Sequence, residues 1–319
     1  MAVYTHLGAE DLAHLVACYD VGDLVSAKGI AEGVSNSNWL VETTRGRFIL
    51  TMYEYRIDTT QLPFFLGLLD HLSARDCPVP ATIHDRDGAA FRMIGDKAVA
   101  LIEFLPGVSV DRPTPAQAAA VGRALAQLHH AVADFPMHGQ QTMGLAEWDR
   151  LIHQCGTDNL EAISPGLASS AYDELSFLGA NWPSGLPHGV VHCDLFPDNV
   201  LMLGDTVSGL IDFYFSADDY FAYDLAVTHA AWCFTRGGHQ FLSDISDALL
   251  RGYASGRTLS EEERTAMPVL LRGACVRFLS SRAYDWVFTP ADALVVRKDP
   301  LDFARRLAFY RENGQSLFA

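Results

Sequence analysis

The residues best suited to catalysis lie between positions 190 and 224. A short apolar run precedes His192, and Asp194 and Asn199 follow it in the pattern His-x-Asp-x4-Asn. A second apolar run ends at Asp212. These patterns predict a short strand that delivers His192, a loop that carries Asp194 and Asn199, and a small hairpin that ends at Asp212. Two carboxylates and an amide would then face one another.

Such side chains suit phosphoryl transfer, in which a protein mainly positions an alcohol against a nucleotide and neutralises charge with Mg²⁺. Asp194 would accept the hydroxyl proton. Asn199 and Asp212 would hold the metal, because Mg²⁺ prefers hard oxygen ligands and takes few from the protein when phosphates supply the others. The spacing is that of the protein-kinase catalytic loop, with Cys193 in the arginine place. The alternative is a surface loop with an Asx turn and an edge hairpin, but the second apolar run favours the catalytic interpretation.

Three further charged residues are candidates for a role near this loop. Asp224 is expected to cap the next helix and to brace the catalytic loop, without touching substrate. Arg277 and Arg282 lie among apolar neighbours in a helix expected beyond Pro268. Either arginine could bind an anionic substrate group, since a guanidinium matches a carboxylate in a bidentate manner. Pairing with surface acids is the commoner outcome for such arginines.

Composition limits the class of protein. The chain has 319 residues, of which 49% are hydrophobic, so it can bury a large core and form two lobes. With 23 basic and 39 acidic residues, the formal charge of −16 argues against a nucleic-acid or acidic-membrane partner. The six cysteines are scattered, which fits neither a zinc site nor a disulfide framework. We therefore expect a cytoplasmic protein without a signal peptide or a membrane span.

The N-terminal part carries a turn that could bind phosphate. Small residues lie between two apolar strands, and the backbone amides of Gly33, Ser35, Asn36 and Ser37 could approach phosphate oxygens. An ordinary hairpin turn would use the same residue types. The chain contains no Walker A sequence, so a P-loop NTPase is not indicated.

A hinge between two lobes is predicted near residue 105. An apolar strand from Ala98 to Phe104 reaches a Leu-Pro-Gly corner, where the backbone of Glu103 and Leu105 could bind an adenine edge. A buried strand that simply meets a loop is the alternative. The predicted division is an N-terminal nucleotide-binding lobe over residues 1–105 and a helical lobe over residues 106–319, which contains the catalytic loop and the substrate pocket.

One feature of protein kinases is missing from the sequence. Thr51 occupies the place of the lysine that pairs a helix glutamate and the nucleotide phosphates, and Phe64 and Phe65 lie where that glutamate is expected. The joint absence is self-consistent, because a lone buried charge would be costly. Lys28 beside the glycine-rich turn is a candidate substitute, although a solvated surface lysine is the commoner case.

The chain resembles the aminoglycoside phosphotransferase-like branch of the protein-kinase-like fold, and within it the homoserine kinases of that type. The segments that carry the resemblance are GIAEGVSNSNW from Gly29, LPFFLGLLDHL from Leu62, HCDLFPDNVL from His192, GLIDFYFSADDYFAYDLA from Gly209, Arg272 to Trp286 and Lys298 to Phe303. The resemblance implies an α+β, bilobal fold with a small antiparallel-sheet N-lobe and a mostly helical C-lobe.

The same resemblance implies the reaction. It assigns Asp194 as the catalytic base, Asn199 and Asp212 as Mg²⁺ ligands, and ATP and L-homoserine as substrates. Homoserine is a zwitterion, so its carboxylate needs a cation, for which Arg277 or Arg282 is available, and its ammonium needs an anion. The candidates for that anion are Asp198, Asp218 and Asp219. A related kinase of choline, a sugar or an aminoglycoside is the first alternative, and a non-catalytic nucleotide-binding protein is the second.

Overall fold

The structure, a computed structural model, describes residues 7–30, 36–54, 58–290 and 297–318. The chain divides into two compact units. The first contains residues 1–107 together with 208–214, and the second contains residues 108–207 together with 215–319. The segment 208–214 therefore belongs with the N-terminal part, whereas a single boundary after residue 105 assigns it to the helical part.

The first unit is built on a six-stranded antiparallel sheet in the order β1-β2-β3-β6-β4, with β5 paired to β6. Helices α1 and α2 accompany it. In chain order the elements are α1 (Ala9–Val16), β1 (Leu24–Gly29), β2 (Asn36–Thr43), β3 (Gly46–Tyr53), α2 (Leu62–Ser73), β4 (Thr82–Ile83), β5 (Arg92–Ile94) and β6 (Lys97–Glu103). The expected antiparallel-sheet region is thus confirmed.

Alternation along the strands gives this sheet two different faces. Trp39, Val41, Leu50 and Met52 belong to one apolar core with Leu12 and other residues of α1. Successive side chains of a strand point to opposite faces, so the intervening Thr51 lies on the other face. This assignment decides which polar groups of the sheet can cooperate.

The second unit is mostly helical, as expected. It contains α3 (Pro115–Ala131), α4 (Leu145–Cys155), α5 (Thr157–Ile163), α6 (Leu167–Asn181), β7 (His188–Val191), β8 (Val200–Leu203), β9 (Thr206–Leu210), β10 (Ala217–Tyr220), α7 (Phe221–Trp232), α8 (Ser243–Gly256), α9 (Glu261–Phe288) and α10 (Leu301–Leu317), with the end of β9 in the first unit. Strands β7 and β10 pair antiparallel, and β8 and β9 form the predicted hairpin. In the part of the chain that the structure describes, no helix is long and apolar enough to cross a bilayer.

Local sequence signals set several helix ends. Thr114 accepts a hydrogen bond from Gln117 N in a capping box before Pro115, which opens α3. Ser260 and Glu263 form a second capping box at the start of α9. Pro268 lies inside α9, which is one 28-residue helix. The long helix that was expected to begin beyond Pro268 therefore begins at Glu261, about two turns before this proline.

Helices α3 and α8 cross where both carry glycine. A Cβ at Gly122 would meet the backbone carbonyl of Leu249, and a Cβ at Gly252 would meet that of Ala119, in each case closer than real Cβ atoms approach. The backbones at this crossing are therefore nearer than side chains would allow. Larger residues at either position would push the two helices apart.

His229, buried in α7, makes the protein sensitive to acid. Its imidazole is within 2.8 Å of Ser246 Oγ and 2.7 Å of Tyr310 Oη, and burial lowers its pKa to about 3. Between this value and the unfolded value of about 6.5 the unfolded chain binds the extra proton, so the free energy of unfolding falls as pH falls. We expect His229→Gln to reduce the slope of that dependence between pH 4 and 6 by up to about 1.4 kcal/mol per pH unit.

Urea unfolding at a series of pH values measures this slope. The matched control is His153→Gln, which makes the same chemical change at an exposed histidine of α4. Equal slopes for His229→Gln and the unsubstituted protein would contradict the prediction.

Candidate active site

The loop after β7 is held by a buried carboxylate. Asp224, in the first turn of α7, accepts hydrogen bonds from the backbone N–H groups of His192 and Cys193, both at 2.8 Å. Trp232 Nε1 donates to the carbonyl of Leu195 at 2.9 Å. Asp224 thus braces the catalytic loop, as predicted. It does not cap α7, because that helix begins three residues earlier, at Phe221.

His129, whose place in the sequence predicts that it satisfies the end of its own helix, instead supports Asp224. His129 of α3 lies fully inside the second unit, with Nε2 3.1 Å from Asp224 Oδ2 and Nδ1 2.8 Å from Tyr253 Oη. Burial lowers the pKa of His129, so the neutral ring donates to Asp224 through Nε2 and accepts from Tyr253 through Nδ1. Burial opposes ionisation of Asp224, yet the hydrogen bonds from His129 and His192 N keep its pKa below the ordinary value. The bracing carboxylate is therefore ionised.

Asp194 and Asn199 lie together within the loop. Asn199 Nδ2 donates to the backbone carbonyl of Asp194 at 2.7 Å and to its Oδ2 at 3.2 Å. Asp194 N in turn donates to His192 Nδ1 at 3.2 Å. The amide nitrogen of Asn199 therefore orients the carboxylate, and its Oδ1 is the oxygen suited to a metal ion.

Cys193 adopts a backbone conformation that side chains other than glycine seldom take. Its φ is +59°, and its thiol is fully buried. Both backbone groups of Cys193 are fixed, since Asp224 accepts from its N–H and Arg277 Nη1 donates to its carbonyl oxygen. These bonds hold Asp194, the next residue, in place.

Asp212 belongs to the first unit and also has a positive φ, +68°. Two tyrosines lie near it: Tyr214 Oη donates to Tyr53 Oη at 3.1 Å, and their rings meet edge to face. Burial raises the pKa of both phenols, with the charge of Asp212 adding to the effect. Its role as a metal ligand stays a prediction.

The predicted phosphate-binding residues have different surroundings. Gly33 and Ser35 lie outside the described residues. Asn36 is buried, and its Oδ1 has no hydrogen-bond partner among the residues described. Ser37 Oγ donates to Glu54 Oε1 at 2.7 Å. Its hydroxyl is therefore engaged within the protein, which leaves its backbone as the part that could meet a phosphate.

The predicted adenine-binding segment is partly used by the sheet. The backbone N–H of Glu103 donates to the carbonyl of Ala81 at 2.9 Å, so this donor is not available to a nucleotide. Leu105 follows the end of β6, in the stretch before Gly107. Its contact with adenine stays a prediction.

An ion pair in the first unit does not replace the missing kinase pair. Lys97 Nζ binds Glu54, at the ends of β6 and β3. By strand alternation, Lys97 and Glu54 lie on the same face of the sheet as Val99 and Met52, the face that packs against α1. Thr51 points to the other face, where its hydroxyl donates to Asn38 Oδ1 at 2.8 Å. Lys28 is exposed on β1.

The two candidate substrate arginines differ in their partners. Arg282 is already engaged, with Nη1 3.1 Å from Asp302 Oδ2 and 3.2 Å from the carbonyl of Asp299. Arg277 is 2% exposed and has no carboxylate within ion-pair distance among the described residues. Only Arg277 therefore remains suited to an anionic ligand.

The sequence of the chain matches a family model described as the phosphotransferase enzyme family over residues 26–259. The chain belongs to this family. It is also 47% identical to a homoserine kinase of Acidiphilium cryptum over 99% of this chain and 98% of that protein. A homoserine kinase of Rhizobium etli is 46% identical over the same shares. The chain thus groups with the homoserine kinases of the phosphotransferase enzyme family, and ATP use follows from membership among these kinases.

Solved structures show the same fold at low sequence identity. Spectinomycin phosphotransferase in complex with ADP and spectinomycin aligns with a TM-score of 0.73 at 13% identity, over 98% of this chain and 100% of that one. A microcompartment-associated aminopropanol kinase aligns with a TM-score of 0.64 at 18% identity, over 98% and 99%. The chain has the protein-kinase-like fold of the phosphotransferase enzyme family, as expected from the sequence.

Proposed function

We propose that this protein transfers the γ-phosphoryl group of ATP to the hydroxyl of L-homoserine and forms O-phospho-L-homoserine, a step on the route to threonine. The observation that carries the proposal is the 46–47% identity to homoserine kinases over nearly the whole chain. The loop geometry agrees with it, because Asp194 is oriented by Asn199 and fixed through its neighbours by Asp224.

Asp194 acts as the base in this proposal. Its carboxylate accepts the proton of the homoserine hydroxyl as the oxygen approaches the γ-phosphorus. Asn199 Nδ2 holds Oδ2 of that carboxylate, so the side chain cannot rotate away from the substrate. The hydrogen bonds of the Cys193 N–H to Asp224 and of Arg277 to the Cys193 carbonyl fix the backbone just before Asp194.

The residues of the chain fit Mg²⁺ as the metal. Asn199 Oδ1 and the carboxylate of Asp212 are hard oxygen donors, and such sites take few protein ligands when phosphates supply the others. A bound Mg²⁺ would neutralise charge on the transferred phosphoryl group. The backbone amides of Gly33, Ser35, Asn36 and Ser37 would contact the phosphates. The backbone of Leu105 and that of Glu103, through its carbonyl because its N–H bonds to Ala81, would contact the adenine.

A substrate panel tests the function. With MgATP, ADP release is measured for L-homoserine, L-serine, choline, a hexose and an aminoglycoside, and the product is identified by ³¹P NMR as a phosphate monoester. We expect kcat/KM for homoserine to exceed that for choline, the hexose and the aminoglycoside by at least about 100-fold, because a buried site made for polar groups rejects ligands that lack them. L-Serine has the same charged groups but a hydroxyl one methylene closer to them, so its kcat/KM should be at least about 10-fold lower. Turnover of choline or an aminoglycoside without turnover of homoserine would overturn the proposal. ATP-induced stabilisation without turnover of any acceptor would favour a non-catalytic nucleotide-binding protein.

A further inference from the structure

Arg277 is a buried cation in contact with the catalytic loop. It lies in α9 and donates through Nη1 to the carbonyl oxygen of Cys193, the residue before Asp194. The charge of Asp194 acts on its guanidinium, and Tyr223 lies beside it. The guanidinium is thus held next to the place where the reacting hydroxyl must lie.

Arg277 has polar and aromatic contacts within the protein but no carboxylate partner among the described residues. Its Nε is buried without a hydrogen-bond acceptor among the described residues. Two other arginines of the second unit have a carboxylate partner, since Arg272 pairs with Glu174 at 2.5 Å and Arg257 with Glu263 at 2.7 Å. A buried charge without a partner is costly, so a site that retains one is suited to receive the opposite charge from a ligand.

Arg306 shares the unpaired Nε but not the location. It donates to the carbonyl of Ala230 within α7, and its guanidinium carbon lies 4.4 Å from the ring centroid of Phe303. Both arginines contact aromatic rings, but Arg306 bonds to the backbone of a helix, whereas Arg277 bonds to the catalytic loop. Arg306 therefore shows that the unpaired Nε alone does not define a site, and that the contact with Cys193 is the distinguishing observation.

Asp219 supplies a negative charge beside this cation. Its Oδ2 accepts from Gln141 Nε2 at 2.5 Å, and its Oδ1 accepts from Tyr220 N at 2.7 Å. Burial raises its pKa, and the charge of Arg277 opposes that rise. The two groups interact electrostatically without forming an ion pair.

The other acidic candidates are engaged away from this place. Asp218 accepts from the backbone N–H of Gly139 at 2.9 Å and lies 3.2 Å from His138 Nδ1. Asp198 pairs with Lys298 at 3.5 Å on the surface. Of the three, Asp219 is the one that shares a neighbour with Arg277, because Gln141 Nε2, which donates to Asp219, lies 3.9 Å from Cys193 Sγ, and the Cys193 carbonyl accepts from Arg277.

We propose that Arg277 binds the carboxylate and Asp219 the ammonium of an α-amino acid substrate, so that the pair selects amino acids over amino alcohols. A cation and an anion that lie near the same residue, Cys193, and form no ion pair with each other match the two charges carried by a single α-carbon. The ring centroid of Phe215 lies 5.3 Å from the Arg277 guanidinium carbon, and this side chain is 43% exposed. In this proposal the ligand reaches Arg277 from the solvent side, when the Phe215 ring rotates. This assignment rests on the proposed function and deepens it.

The decisive experiment removes the charge on each side of the contact. Values of kcat/KM for L-homoserine and for 3-aminopropan-1-ol, which lacks only the carboxylate, are measured in the unsubstituted protein and in Arg277→Met. The substitution removes the bond to the Cys193 carbonyl whichever substrate is used, so kcat/KM should fall for both. We expect the fall to be at least about 10²-fold larger for homoserine, because only homoserine also loses a charged partner. The preference for the amino acid then collapses. An equal loss on both substrates would overturn the proposal, since it would show that Arg277 only positions the loop.

Two further variants serve as checks. Arg282→Met, in the same helix but with the guanidinium paired to Asp302, should leave the preference unchanged. Should Arg277→Met fail to fold, Arg277→Lys replaces it. That variant retains the charge without the bidentate geometry, so the preference should fall by about 10-fold or more, and an unchanged preference would overturn the proposal.

The ammonium contact is tested with 4-hydroxybutanoate, which lacks the amino group. Asp219→Asn should lower kcat/KM for homoserine at least about 10-fold more than for this acid, because only homoserine has an ammonium to lose. Equal losses would refute the role of Asp219. Absence of homoserine turnover in the unsubstituted protein would instead refute the proposed function, so the two failures are distinguishable.

Discussion

Replacement of Asp194 by asparagine is expected to lower kcat for homoserine phosphorylation by about 10²–10⁴-fold, the usual contribution of a positioned general base. Asparagine keeps the size of the side chain and an oxygen that can accept from Asn199 Nδ2, so the loop should remain folded. The melting temperature in the presence of MgADP should stay within about 2 °C of that of the unsubstituted protein, since the surface and core are otherwise unchanged.

Asp198→Asn is the matched control for this prediction. It makes the same chemical change four residues later in the loop, at an exposed carboxylate whose pairing with Lys298 contributes little. We expect kcat to change by less than about 3-fold. Near-normal turnover by Asp194→Asn would refute its assignment as the base.

Replacement of Asp224 by alanine is expected to cost stability as well as activity. The carboxylate is fully buried and accepts hydrogen bonds from His129 and from two backbone N–H groups, so its removal leaves three donors without an acceptor. A buried donor left without an acceptor costs about 1–3 kcal/mol, so the three together should lower the free energy of unfolding by at least about 3 kcal/mol. Turnover should also fall by at least about 10-fold, because the backbone that carries Asp194 loses its brace.

Urea unfolding and steady-state kinetics measure the two effects. Asp218→Ala removes a carboxylate of the neighbouring strand β10 that is only partly buried, and it should cost less than about 1.5 kcal/mol. A loss below about 1 kcal/mol for Asp224→Ala would show that the buried network contributes less than its geometry implies.

Much of the fold could be predicted from local sequence signals. The capping residues of α3 and α9 act on backbone groups within one turn, so their effect does not depend on the rest of the chain. Alternating apolar residues likewise predicted the strands of the first unit and the hairpin of β8 and β9. These elements were correct because their causes lie within a few residues.

Other features depend on contacts between distant segments. His129 and Asp224 are 95 residues apart, and only the packing of α3 against α7 brings them together. From the sequence, His129 was expected to satisfy the end of its own helix. Its position seven residues after Gly122, on the face that approaches α8, is the signal that a helical projection could have used. The packing of residues 208–214 with the first unit depends in the same way on long-range contacts.

The crossing of α3 and α8 has a consequence for catalysis far from any polar group. Gly122 and His129 lie two turns apart on α3, and Gly252 directly precedes Tyr253, whose hydroxyl bonds to His129. The close approach of the two helices therefore sets the distances in a series of hydrogen bonds. The series runs from Tyr253 through His129 and Asp224 to the backbone N–H of Cys193, the residue before Asp194. Alanine at Gly122 or Gly252 would push the helices apart and lengthen these hydrogen bonds. Turnover would then fall although the added methyl group does not contact the substrate.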